Sequence, residues 1–247
     1  MIDRFFFQIF WRMFFLQVLW NFQRMQALGF FYVIKPCLEK LYSDPEERKK
    51  AFLRHTGFFN THPYFASLIV GVVLRKEEEY SETGKEEILR DIKNWKLNLA
   101  GPLAALGDSL IWSLWRPLTA IAAIFLFFTG EDFPVYYPVL IFLVGYNLLP
   151  FFIRWRGLIE GYRYQEAVFK WLEGFSLPTI YNLLRLFGIA LAFFLFVYLF
   201  FFSGFGIFSL IHLALLILFV ILAHYVSVEV LFYLLVIIGF ILGMVRA

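Results

Sequence analysis

Gly57-Phe58-Phe59-Asn60-Thr61-His62-Pro63 leads into an apolar arm from Tyr64 to Leu74. After a charged interval the apolar character returns with Gly101-Pro102-Leu103-Ala104-Ala105-Leu106-Gly107-Asp108, then Ile111-Trp112 and Arg116-Pro117. Asn, His, Asp and Arg are costly in hydrocarbon unless they are paired or line a wet cavity. Broken backbone at membrane depth is likewise tolerated only inside protein or beside such a cavity. The stretch therefore predicts a polar site at half-membrane depth and not a plain lipid-facing span.

The rest of the chain agrees with a membrane setting. Of 247 residues, 61% are hydrophobic, 22% aromatic and only 17% charged, whereas soluble domains are about half apolar and a quarter charged. A net charge of +3 is too small to argue for nucleic acid. Placement says more: of the 22 Lys and Arg residues, 15 fall between Met1 and Ser109, one is Arg116, five lie between Phe151 and Arg185 and one is Arg246. The single Cys37 excludes an internal disulfide and argues against a thiolate metal cluster. The N-terminus, aromatic and interrupted by Arg4, Arg12 and Arg24, does not read as a cleavable signal peptide.

Taken in order, residues 5 to 22 mix Phe, Trp and Leu with Arg12, Gln17 and Asn21 and predict an amphipathic interfacial helix anchored by Trp11 and Trp20. A short apolar segment from Ala27 to Ile34 is expected to stop at Lys35-Pro36. Ser43-Asp44-Pro45-Glu46 is a helix start with cap, N1 proline and first-turn acid, for a helix reaching about Thr56. The arm from Gly57 to Leu74 is long enough to cross once or to enter and leave on one side. The re-entrant reading is preferred because basic residues flank both ends. Residues 75 to 98 read as a water-exposed connection, with a capping box at Thr83-Gly84-Lys85-Glu86 and a surface helix after it. Span candidates follow at 110–128, 134–153, 183–202, 206–223 and 226–245, while Gly157, Gly161 and Gly174 suggest turns in an interfacial segment.

The expected fold is an all-α integral membrane protein: N-terminal amphipathic and re-entrant helices, then about five transmembrane helices. Its divisions are residues 1–56 (amphipathic and cytoplasmic helices), 57–109 (re-entrant arms with the charged helix 75–98 between them), 110–153 (a transmembrane hairpin), 154–182 (an interfacial helix) and 183–247 (C-terminal spans). The positive-inside tendency puts the N-terminus in the cytoplasm and the C-terminus outside.

No phosphate loop, dinucleotide fingerprint or zinc-protease motif is present, and His55, His62, His212 and His224 are not spaced as ligands, so neither metal nor cofactor is expected. Ser109, His62 and Asp108 lack a nucleophile elbow, which leaves a membrane enzyme acting alone without a motif. Asn60, Thr61 and His62 suit a neutral polyol, which needs uncharged donors and acceptors on a short turn; helix capping before Pro63 is an equal reading of the same residues. Eight residues separate Asp108 from Arg116, a rise of about 12 Å on a helix, so Arg116 is expected to pair with another segment or a partner chain.

These motifs form a recognisable set. Trp20-Asn21-Phe22-Gln23-Arg24-Met25-Gln26-Ala27-Leu28-Gly29-Phe30, Arg54-His55 with Phe58-Phe59-Asn60-Thr61-His62-Pro63, Gly71-Val72 through Glu77-Glu78-Glu79, and Gly101-Pro102-Leu103-Ala104 with Gly107-Asp108, Trp112 and Arg116-Pro117 closely resemble the IID membrane subunit of mannose/fructose/sorbose-family sugar phosphotransferase systems. The likeness covers residues 19 to 175. It implies a non-catalytic permease subunit of the bacterial inner membrane, which pairs with a IIC subunit as a trimer of heterodimers to form a channel for a hexose sugar. Phosphorylation is then carried by separate IIA and IIB proteins, with Arg48, Lys49, Lys50, Arg75 and Lys76 as candidates for docking IIB. The substrate-binding residues it implies are Asn60, Thr61, His62, Gly101, Pro102 and Asp108, with Arg24, Gln26, Trp112 and Arg116 in structural or partner contacts. Membrane lipid is a further partner. A scaffold that recruits IIB-type proteins without transporting is the other reading. Relatives carry a sizeable soluble insertion before the final spans, whereas here Gly174 to Arg185 passes almost directly into hydrophobic sequence.

Overall fold

A computed structural model describes residues 2–130, 134, 136–165, 177–201 and the positions 210, 211, 214, 217, 218 and 221. Among these the secondary structure is helical, with β-type pairing only at the isolated bridges Asn21–Met25 and Met25–Phe59. Helix α1 (Ile2–Arg12) runs into a 3-10 turn, Met13–Phe15. It buries Phe6, Ile9, Phe10, Met13 and Leu16 while Phe7, Trp11 and Phe15 stay exposed, the amphipathic division read from the sequence. Helix α2 (Ala27–Leu41) does not stop at Lys35-Pro36; Pro36 lies inside it. A proline ring forfeits one helical hydrogen bond, and the burial of Phe30, Val33, Ile34, Cys37 and Leu38 on one face offsets that loss. Helix α3 (Pro45–Arg54) starts as its residues dictate, with the Asp44 carboxylate accepting from Glu47 N–H at 2.8 Å.

Helices α4 (Ala66–Thr83) and α5 (Glu86–Gly107) divide the charged interval between them. The capping box does not form. Gly84 adopts a left-handed φ of 66° and ends α4 by donating its N–H to Tyr80 C=O at 2.8 Å, and Lys85 at the N-cap of α5 gives no side-chain bond. A glycine supplies that conformation without strain, so the turn closes here and α5 folds back along α4. Lys76 on α4 faces Asp91 on α5 across 4.0 Å.

From Gly107 the chain remains helical. A π-helical stretch, Asp108–Trp115, joins α5 to α6 (Arg116–Thr129), and the whole unit Glu86–Thr129 is one helix of 44 residues. Helix α7 (Tyr136–Tyr164) returns alongside, and α8 (Leu177–Phe201) packs on α6. Three helices among the described residues are long and apolar enough to cross a membrane: Glu86–Thr129, Tyr136–Tyr164 and Pro178–Phe201. They leave Phe127, Leu140, Leu143, Leu148, Leu183 and Phe193 uncovered by protein, as lipid-facing surfaces require. Of the span expected at 206–223 only positions 210, 211, 214, 217, 218 and 221 are described, and the span expected at 226–245 lies outside the described residues, as do residues 166–176 of the interfacial segment.

The tightest packing is between α4 and α7. A Cβ on Gly71 would stand 2.4 Å from the Leu158 carbonyl oxygen, and one on Gly161 would stand 2.2 Å from that of Leu68. Gly157 and Gly161, which read as turn signals, sit inside α7, where small residues four apart let two helical backbones meet.

Candidate functional site

The motif turn from Gly57 to Phe65 is held without regular secondary structure. Met25, at φ 53°, turns the preceding loop so that Gln26 N–H donates to Phe59 C=O at 2.8 Å and Phe59 N–H donates to Arg24 C=O at 3.3 Å. The buried Gln26 side chain extends this pairing by one rung. Its Nε2 donates to Thr61 C=O at 2.7 Å and its Oε1 accepts from Thr61 N–H at 3.1 Å. One amide thus satisfies both backbone groups of a buried residue, which are costly to leave unpaired.

Thr61 Oγ1 donates to Ala100 C=O at 2.8 Å, tying the turn to the part of α5 that carries Gly101 and Pro102. His62 is 2% exposed, and its ring rests directly on Gly107, where any Cβ would collide with it. Trp112 lies 4.7 Å from the imidazole and Tyr64 4.9 Å, centroid to centroid. Behind them Tyr64 and Tyr146 share a hydrogen bond of 3.0 Å, and the Arg154 guanidinium is sandwiched between the Phe14 and Tyr64 rings at 4.4 and 4.3 Å. His62 Nε2 and Arg154 Nε are buried without a hydrogen-bond partner among the described residues.

The remaining sequence candidates lie on the outer side of this wall. Asn60, Gly101, Pro102, Asp108 and Arg116 are exposed, and Trp112 is 43% exposed. Among the described residues the Asn60 amide makes no hydrogen bond, and Asp108 and Arg116 form no ion pair with each other. Arg24 reaches back to Thr56 C=O at 3.4 Å, a structural tie. The structure therefore brings the two motif segments together as an inner layer of buried side chains and an outer layer of presented ones. No grouping of three or more His, Cys, Asp or Glu suited to a metal occurs among the described residues.

A second polar knot escaped the sequence reading. Glu77 on α4, fully buried, accepts from Arg54 Nε at 2.7 Å, Tyr42 Oη at 2.7 Å and His55 Nε2 at 2.8 Å, and is also paired with Arg54 Nη2. Burial alone would raise the Glu77 carboxyl, but hydrogen bonds from Arg54 and His55 outweigh it and hold it at about 2. Burial drives His55 down to about 4 against the partial opposition of that carboxylate. His55 is accordingly neutral: a second ring proton would sit on Nδ1, which is buried with no acceptor. The available signal was position, because Glu77 lies less than one helical turn beyond Ala66–Leu74, a stretch buried on every side.

With this geometry the comparisons with known proteins agree. Residues 3–197 match the family described as the mannose/fructose/sorbose IID component of phosphotransferase systems. The chain belongs to that family. Among curated IID proteins it is 38% identical over 143 residues to the mannose-specific EIID component of Escherichia coli K12, covering 58% of this chain and 49% of that one. It is 35% identical over 156 residues to the fructose permease IID component of Bacillus subtilis, covering 63% and 55%. This IID chain thus spans about half the length of the curated relatives it matches. A cryo-EM structure described as the mannose transporter ManYZ with microcin E492 superposes with a TM-score of 0.61 at 31% identity, over 78% of this chain and 69% of that one. A second solved chain, described as a membrane protein, superposes with a TM-score of 0.66 at 31% identity and the same coverage.

Proposed function

We propose that this IID chain forms, together with a IIC membrane subunit, the translocation path for a mannose-type hexose in a phosphoenolpyruvate-dependent phosphotransferase system of the bacterial inner membrane. The observation that carries this reading is the Asn60 amide, presented without a partner among the described residues on a turn that Gln26, Thr61 and Ala100 hold in place. An amide donates and accepts at once, which is what a sugar hydroxyl requires. Asn60, Asp108 and the exposed Gly101-Pro102 surface make the contacts, while Thr61 and His62, both buried, fix the geometry behind them. The open face is completed by IIC, and heterodimers assemble as trimers. The phosphoryl group is carried by separate IIA and IIB proteins, so this subunit performs no chemistry on the sugar. The N-terminal helices face the cytoplasm, where Lys49 and Lys50 are exposed for IIB docking; Lys76 is buried and paired with Glu79 and Asp91.

Hexose uptake in cells supplied with IIC, IIB and IIA tests the assignment. Asn60→Ala and Asp108→Ala are expected to abolish uptake while the protein still inserts and assembles. Uptake that persists in both variants overturns the site. Absence of uptake by the native chain with every partner present, with IIB still recruited to the membrane, would select the scaffold reading instead.

A further inference from the structure

A groove of about 430 Å³ opens between the turn at Gly57-Phe58 and helix α5; its lining includes Arg54, Lys93 and Lys96 as well as Phe58, Ile92 and Leu97. Among the described residues no carboxylate lines it. Lys96 is 7% exposed, its ammonium lying 4.5 Å from the Phe30 ring centroid and 5.6 Å from that of Phe59. Among the described residues no acid lies within ion-pairing distance of Lys96, and Arg54 alone of the three cations is neutralised, by Glu77. The Glu77 carboxylate acts on Lys96 through space but is itself held by Arg54, His55 and Tyr42, so an ammonium in direct contact only with ring faces keeps a demand for an anion.

Depth in the membrane narrows the occupant. Lys96 is the last Lys or Arg before Arg116 on the continuous helix Glu86–Thr129, whose first part is charged and whose remainder is apolar. The groove therefore sits where that helix passes from water toward hydrocarbon, which is headgroup level. Its rim presents Phe58 and Leu97, each more than half exposed. A cationic floor with an apolar rim matches a molecule that carries a phosphate and acyl chains together, whereas a free anion would leave the rim in water.

We propose that this groove is a binding site for an anionic phospholipid, its phosphate received by Lys96 and Lys93 and its acyl chains lying along Phe58, Ile92 and Leu97. The site is separate from the Asn60 face and does not depend on the transport reading.

Thermal unfolding of the full chain in a neutral detergent tests it, with phosphatidylglycerol, phosphatidylcholine or inorganic phosphate added. Phosphatidylglycerol should raise the melting temperature in a saturable way, while phosphatidylcholine and inorganic phosphate at matched concentration should not. In Lys96→Met the half-saturating phosphatidylglycerol concentration should rise about fivefold, the equivalent of one lysine–headgroup contact of about 1 kcal/mol. Should that variant fail to fold, Leu97→Glu at the exposed rim makes the same decision by repelling the headgroup. Equal responses to the two lipids, or an unchanged half-saturation in the folded variant, overturn the proposal. A full response to inorganic phosphate alone also overturns it, in favour of a free-anion site.

Discussion

Gln26 shows how much a single side chain can organise. Its amide replaces a missing strand neighbour for Thr61, and Thr61 in turn fixes the turn against α5. Gln26→Leu keeps the volume but leaves Thr61 N–H and C=O buried and unpaired, at about 1–3 kcal/mol for each group. Gln26→Glu retains the acceptor but sets a buried carboxylate oxygen against Thr61 C=O, so it should melt below the native chain at neutral pH. Equal melting temperatures for all three would remove the clamp from the account. Glu77 carries a pH prediction. Its folded value near 2 lies below the ordinary carboxylate value, so its contribution is complete above the unfolded value and is lost as pH falls toward 2. His55, at about 4, acts with the same sign: the unfolded chain takes up a proton below about 6.5 that the folded chain refuses until about 4. Unfolding temperature should thus fall progressively from pH 6.5 downward. Glu77→Gln should be about 3–5 kcal/mol less stable at neutral pH, as expected when one partner of a buried ion pair is removed, and should lose the most acidic part of that dependence.

Among the helices, local signals were legible where the interaction itself was local. Asp44-Pro45 announced α3 because a cap and its first turn are neighbours in sequence. Thr83-Glu86 carried the spacing of a cap but not its outcome, since Gly84 could adopt a left-handed turn that closed α4 first. Glu77 was illegible as a knot because Arg54, His55 and Tyr42 reach it from 23, 22 and 35 positions away. In the candidate site the sequence supplied the residues but not their layering, which depends on contacts such as Gln26 with Thr61. Glycines repeat the lesson, for they read as turns until a second helix is seen against them. Gly71→Ala should destabilise by about 1–3 kcal/mol, because the clash is with Leu158 and Gly161 backbone that cannot move aside alone. Gly101→Ala meets nothing within 4 Å, and in a helix interior it should gain up to about 1 kcal/mol. Thermal unfolding of the two variants in parallel checks both signs. Should Gly101→Ala melt higher yet transport less, its surface serves a partner or ligand and not the fold.

For the molecule as a whole, the proposed orientation is open to a direct measurement. Cys37 is the single cysteine and is buried, and burial pushes its thiol up to about 12, so it should stay silent toward water-borne thiol reagents. The native chain therefore serves as its own background. Lys49→Cys should label only from the cytoplasmic side and Gly130→Cys only from the opposite one; labelling of both from the same side would overturn the topology. The length of α7 fits this arrangement: its 29 residues extend about 43 Å, more than the ~30 Å of hydrocarbon. That surplus carries the last turns of α7 to the polar end of α4, where Tyr162 meets Glu78 and Gln165 meets Glu79, while Arg154 stays beside Tyr64.

The wide turns of Asp108–Trp115 act as an indexing gear between two lengths of one rod. A π-type turn holds more residues than an α turn, so α5 and α6 share an axis without sharing a register. This offset lets one half of the rod serve α4 while the other serves α7 and α8. Deleting one residue there would preserve composition and hydropathy, yet it would rotate everything beyond it by about 100° and turn the side chains meant for protein toward lipid.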